Sequence, residues 1–202
     1  MINYLDIQDA DIIFKNRQLL LSGDINTEVV NKIIKDILDI NYFDDVNEAG
    51  IRDYVRKPIV LYINSPGGNV SDGLALYDII RTSVTPICTI AIGAAMSMGL
   101  WLFMAGDIRL IGENATLMYH EISTAIQDKT EGIALEVAES KRLQKIYDKT
   151  ITSNSKITQS QLEDYKKRKA EWYISPKEAI KLGLADDYFR LEPAKSRIKI
   201  EK

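Results

Sequence analysis

The stretch ICTIAIGAAMSMGLWLFMAG, residues 87–106, decides how this chain is built. It carries no charge, and the uncharged window opens at Thr82, long enough to meet the crude length rule for a membrane helix. Its internal order argues otherwise. Pro86 precedes it, residues 88–92 read as a short β-branched strand, and Gly93-Ala94-Ala95 breaks that pattern. No basic flank anchors the far end, which runs into Asp107. The reading is a buried strand over 87–92 and then a buried helix beginning near Ser97.

The same alternation extends outward. Upstream, residues 19–21 suggest a short strand ending at Ser22-Gly23, and Asn26 or Thr27 can cap a helix. That helix places Val30, Ile33, Ile34, Ile37 and Leu38 on one face. Residues 41–54 are acidic and read as an irregular surface excursion. Residues 59–63 form an apolar run of buried-strand type, Asn64-Ser65-Pro66-Gly67-Gly68 is a turn, and 70–81 is helical. Downstream, 108–111 and 115–119 read as strands. A helix over 131–152 carries Leu143, Ile146, Tyr147 and Ile151 on one face, and another helix covers 159–169. Ser175-Pro176-Lys177-Glu178 has the form of a capping box, with Gly183 where the helix stops. Strands alternating with helices predict one α/β domain over residues 1–202, with a mainly parallel sheet covered by helices.

Composition narrows the function classes. The chain has 202 residues, 46% apolar and 27% charged, with net charge −3. Phosphate neutralisation needs a basic excess that is absent, so no nucleic-acid partner is expected. The run Lys166-Lys167-Arg168-Lys169 reads as a solvated helix face. The single cysteine, Cys88, sits in an apolar stretch and reads as a core residue. The first residues lack a basic region followed by an apolar one, so a cytoplasmic location without a membrane anchor is expected.

Three segments carry candidate chemistry. His120 is the only histidine, so a serine–histidine hydrolase must use it; a hydrogen-bonded structural histidine is the competing reading. A lone histidine also gives no basis for a metal site, and no cofactor is expected. Ser97 lies between a buried strand and an apolar helix, where the free N–H groups of a first helical turn could face a reacting carbonyl. It could equally be a helix cap. The pattern is not the G-x-S-x-G elbow, because Ala95 stands at the first glycine position. Gly67-Gly68 offers backbone donors for an oxyanion or for a phosphate, although no P-loop signature follows.

Tyr62-Ile63-Asn64-Ser65-Pro66-Gly67-Gly68, then Ala-Ala-x-Ser-Met-Gly ending at Gly99, then Met118-Tyr119-His120, taken in that order, resemble the Clp protease proteolytic-subunit (ClpP) family. The likeness runs from about residue 17 to 186. It implies a ClpP/crotonase-like spiral of ββα units with a protruding handle helix. It implies a serine endopeptidase working through an acyl-serine inside a chamber of stacked heptameric rings, fed with protein substrates by a hexameric ATPase unfoldase. By position it makes Ser97 the nucleophile, His120 the base, and the N–H groups of Gly68 and Met98 the oxyanion hole. The triad acid falls on Glu171, where the family usually has Asp; Asp164 is the nearest other acid in that segment.

Other departures bear on assembly. Trp172 stands where the family has an arginine used between rings, and Glu121-Ile122-Ser123-Thr124-Ala125 replaces a Gln-Pro and glycine-rich stretch. The segment 1–16 looks shorter than the family's axial loop, and 41–54 reads as an insertion. Such drift suits a specialised relative, such as a stand-alone or prophage-type maturation protease. Two other readings stay open: an inactive ring subunit paired with an active paralogue, and a crotonase-type acyl-CoA enzyme. The Ser97 and His120 pair counts against the latter.

Overall fold

The computed structural model of the chain describes residues 17–191. Its centre is a seven-stranded sheet in the order β1-β2-β3-β4-β7, with β5 joined to β3 and β6 joined to β5. The strands are β1 (Gln18–Ser22), β2 (Ile59–Ser65), β3 (Ile87–Met96), β4 (Ile108–Ile111), β5 (Thr116–Tyr119), β6 (Trp172–Ile174) and β7 (Asp187–Tyr188). Every pairing is parallel except β5–β6. Helices α1 (Thr27–Gly50), α2 (Val70–Thr82), α3 (Met98–Phe103), α4 (Thr130–Ser153), α5 (Gln159–Lys167) and α6 (Pro176–Leu182) alternate with them. The mainly parallel α/β architecture expected from the sequence is the one found, and its elements share one hydrophobic core.

Strand β3 explains the branched sheet. It does not stop at Ile92 but continues to Met96. Its first half pairs with β4 through Cys88–Ala91, and its second half pairs with β5 through Ala94–Met96. Between the halves Gly93 adopts φ +64°, and a Cβ there would stand 2.6 Å from the side-chain oxygen Oδ1 of Asn64. Only glycine accommodates both demands. The expected break is therefore a bend at which the strand changes partners. Helix α3 follows with all its residues buried, so the uncharged window is sheet and core. Among the described residues no helix is long and apolar enough to cross a membrane.

Three expectations need correction. Residues 41–50 are not an irregular excursion but the last turns of α1. Their acidity misled because Asp44 is fully buried: Oδ1 receives Arg17 Nη2 at 2.5 Å and the Tyr54 hydroxyl at 2.5 Å, and Oδ2 receives Thr85 Oγ1 at 2.6 Å. Buried charge needs such partners. On the same helix Leu38 is 51% exposed, outside the apolar face that holds Val30, Ile33 and Ile37. On α4 the buried face is Gln144, Tyr147, Asp148 and Ile151, while Ile146 is 37% exposed. The polar pair is satisfied inside and rotates the apolar stripe by part of a turn.

Local signals held where a cap was involved. The Asn26 side chain accepts from Val29 N, and Ser175 caps α6 with Pro176 in its first turn. Gly183 ends α6 at φ +74°. Thr158 and Gln161 form a reciprocal capping box on α5 that the sequence reading passed over. Cys88 is buried, as expected of a core residue. The expectation about segment 1–16 lies outside the described residues.

Candidate active site

Ser97 sits one residue beyond β3, at the position just before the first turn of α3. Its backbone is at φ +54°, ψ −121°, a costly conformation for a residue with a Cβ. Three contacts hold it there. Its N–H donates to Met118 O at 2.9 Å, which extends the β3–β5 ladder by one step. Its carbonyl accepts from Trp101 N at 3.2 Å and from the Tyr147 hydroxyl at 3.1 Å. The side chain makes no capping bond, so the cap reading fails and the hydroxyl is unspent.

The donors for an oxyanion lie alongside. Gly67 and Gly68 adopt φ +115° and +149°. A Cβ on Gly67 would come within 2.8 Å of Ser97 Cβ, so the turn passes directly over the serine. Gly68 forms a parallel bridge with Ile25 in which Ile25 N donates to Gly67 O and Asn69 N donates to Ile25 O. That pattern leaves the N–H of Gly68 itself without an acceptor among the described residues. Met98 is the first residue of α3, whose N–H has no partner within the helix.

His120 follows the last residue of β5 as Ser97 follows β3. Ser97, His120, Gly68 and Met98 all line one cavity of about 60 Å³, closed by Val70, Trp101, Ile122 and Tyr147. The antiparallel β5–β6 register ends with Tyr119 paired to Trp172, and their neighbours in the chain are His120 and Glu171. Both border a second cavity of about 260 Å³. No hydrogen bond joins Ser97 to His120 or His120 to Glu171 here. Glu171 is exposed and accepts from the Tyr173 hydroxyl at 2.5 Å. Asp164 is exposed and paired with Arg168 on its own helix, away from the histidine.

Comparison with known proteins identifies the family. The family model for Clp protease matches residues 5–190. The chain belongs to the Clp protease family. An ATP-dependent Clp protease proteolytic subunit of Deinococcus radiodurans is 30% identical over 176 residues, covering 86% of this chain and 80% of the relative. One from Pleurastrum terricola is 32% identical over 148 residues, 69% of this chain and 70% of the relative.

The structure also brings to the candidate site residues that no local sequence signal marks. Trp101 and Tyr147 stack with centroids 4.8 Å apart and form the cavity floor. Tyr147 had been read as part of an apolar stripe, and nothing local marks its hydroxyl as a ligand of Ser97. Behind His120, Asp148 is buried and bonded by the Tyr119 hydroxyl (2.6 Å), Gln144 (2.7 Å), Gln159 (3.2 Å) and Lys166. Burial alone would raise the Asp148 pKa, but these donors together hold it below the usual carboxylate value. Lys166 is thus not part of a solvated run; its ammonium serves a buried acid. Arg168 lies over the Tyr165 ring.

Proposed function

We propose that the chain is a serine endopeptidase cleaving protein or peptide substrates through an acyl-serine. The observation that carries this is the convergence of Ser97, His120 and the free N–H groups of Gly68 and Met98 on one cavity. The Ser97 hydroxyl would attack a peptide carbonyl while His120 takes its proton. The two amides would hold the oxyanion, and removing one such donor costs roughly 10²–10³-fold in rate. His120 would then protonate the leaving amine, and water would complete the cycle. Glu171 would be the acid to orient His120, a reading supported by the cavity that both residues border.

Assembly into rings is part of the reading. The outer half of α4 exposes Ile133, Leu135 and Val137, apolar surface suited to contact with further copies. A heptameric ring, alone or stacked as a tetradecamer, would enclose the sites, with a hexameric ATPase delivering unfolded chains in the cytoplasm. A stand-alone maturation protease of the same chemistry fits the same site. A second reading, an inactive ring subunit, draws on the bond from Tyr173 to Glu171, which occupies the acid that His120 needs.

A fluorophosphonate probe separates these readings. We expect Ser97 to label in the wild type, no labelling of Ser97→Ala, and strongly reduced labelling of His120→Ala. Absence of labelling in folded wild type favours the inactive subunit. Native mass spectrometry gives the ring size.

A further inference from the structure

Residues on both sides of His120 are tied to a single helix. Tyr119, immediately before it, is 1% exposed and donates its hydroxyl to Asp148 Oδ1 at 2.6 Å. Ile122, two residues after it, donates its backbone N–H to Gln144 Oε1 at 2.7 Å. Gln144 and Asp148 are one turn apart on α4 and bonded to each other, Gln144 Nε2 donating to Asp148 Oδ1 at 2.7 Å. The same Nε2 reaches the Tyr119 hydroxyl at 3.1 Å. Lys166, from α5, neutralises the carboxylate from behind with its side chain only 18% exposed.

This is a costly arrangement to build for stability alone. A buried ion pair gives back little more than the desolvation it needs, whereas a fully satisfied polar cluster fixes one geometry. What this cluster fixes is the position of the 119–122 segment. That segment has no helix or strand of its own beyond Tyr119, and residues 120–127 are irregular. Without the two tethers His120 would ride on a loop, and general-base catalysis is sensitive to displacements of about 1 Å.

We propose that Gln144 and Asp148, with Lys166 as counter-charge, are positioning residues for His120: they clamp the chain before and after the imidazole so that it faces Ser97. The proposal rests on the reading of His120 as the base.

The test uses Gln144→Met and Tyr119→Phe, each of similar size to the residue replaced. In the assembled protein, we expect kcat for a peptide substrate and the rate of Ser97 labelling to fall about tenfold or more, with KM within twofold. Loss of folded protein would instead scale kcat by the active fraction found by burst titration. Because the chain has one histidine, imidazole NMR signals of untagged protein report His120 alone. We expect them to shift and broaden in both variants. Wild type that labels at Ser97, together with unchanged kcat and unchanged imidazole signals in both variants, overturns the clamp and leaves the peptidase reading intact. Wild type that is folded but does not label overturns both.

Discussion

Tyr119 pairs with Trp172 at the end of the antiparallel β5–β6 ladder, and the residues that adjoin them, His120 and Glu171, border one cavity of about 260 Å³. Of the acids in the 164–171 region, Glu171 is the one that shares that cavity with His120. Asp164, seven residues earlier, is spent on Arg168. We expect Glu171→Ala to lower kcat/KM by at least ~100-fold, in line with loss of an orienting carboxylate in other triads, and Asp164→Ala to change it less than twofold. Equal small effects in steady-state assays would reject the assignment.

The bond from Tyr173 to Glu171 supplies a second expectation. Tyr173 is 57% exposed, so removing its hydroxyl leaves no buried group unpaired. Tyr173→Phe should free the carboxylate for His120 and leave labelling of Ser97 as fast as in the wild type or faster. A large drop would mean that the tyrosine holds Glu171 in its working position.

The turn over Ser97 has no room for a methyl group. Gly67→Ala would place carbon 2.8 Å from Ser97 Cβ and 3.2 Å from its Oγ, at φ +115°. We expect loss of labelling and a lower melting temperature, because strain of about 1–3 kcal/mol adds to the collision. Wild-type labelling kinetics in this variant would show that the turn is further from the serine than described.

Cavity size bears on cleavage preference. The space beside Ser97 is about 60 Å³, whereas roughly 150 Å³ is needed to take up a benzene ring. Peptides with alanine or glycine before the scissile bond should therefore be cut with higher kcat/KM than those with phenylalanine, and Ile122→Ala should narrow the gap. A wild-type preference for phenylalanine in a matched peptide panel would contradict this.

Acid stability should report Asp44. Burial opposes its charge, but hydrogen bonds from Arg17, Thr85 and Tyr54 outweigh that and bring its pKa from 3.8 to about 2. A lowered pKa stabilises the fold fully above the unfolded value and is lost as pH falls through the folded one. The contribution, about 2 kcal/mol, should thus disappear between roughly pH 4 and pH 2. Urea unfolding midpoints across that range check it, and Asp44→Asn should remove that part of the slope.

How far the sequence could be read depended on whether a signal was local. Residues 87–106 gave up the strand and helix because β-branching, a glycine break and a missing basic flank are all contiguous. Ser97, His120 and Gly67-Gly68 were visible as candidates, yet the hydroxyl of Ser97 could be told from a cap only by its backbone angles and its lack of a capping bond. Buried polar groups were misread in the same direction each time. Asp44 suggested surface, Lys166 suggested a solvated face, and Gln144 and Asp148 drew no comment. A charge is legible as buried only once its partners are known, and Arg17 and Asp44 are 27 residues apart. The pairing of β5 with β6, beside which His120 and Glu171 lie, spans more than 50 positions and leaves no mark in either strand alone.

The bend at Gly93 has one last bearing on how the molecule tolerates change. Ser97, His120 and Glu171 all adjoin the patch formed by Ala94–Met96, β5 and β6. The β4 and β7 wing attaches only before the bend. Alterations in that wing, such as an added loop between β4 and β5 or a loosened β7, can thus flex the sheet while the three side chains keep their mutual spacing.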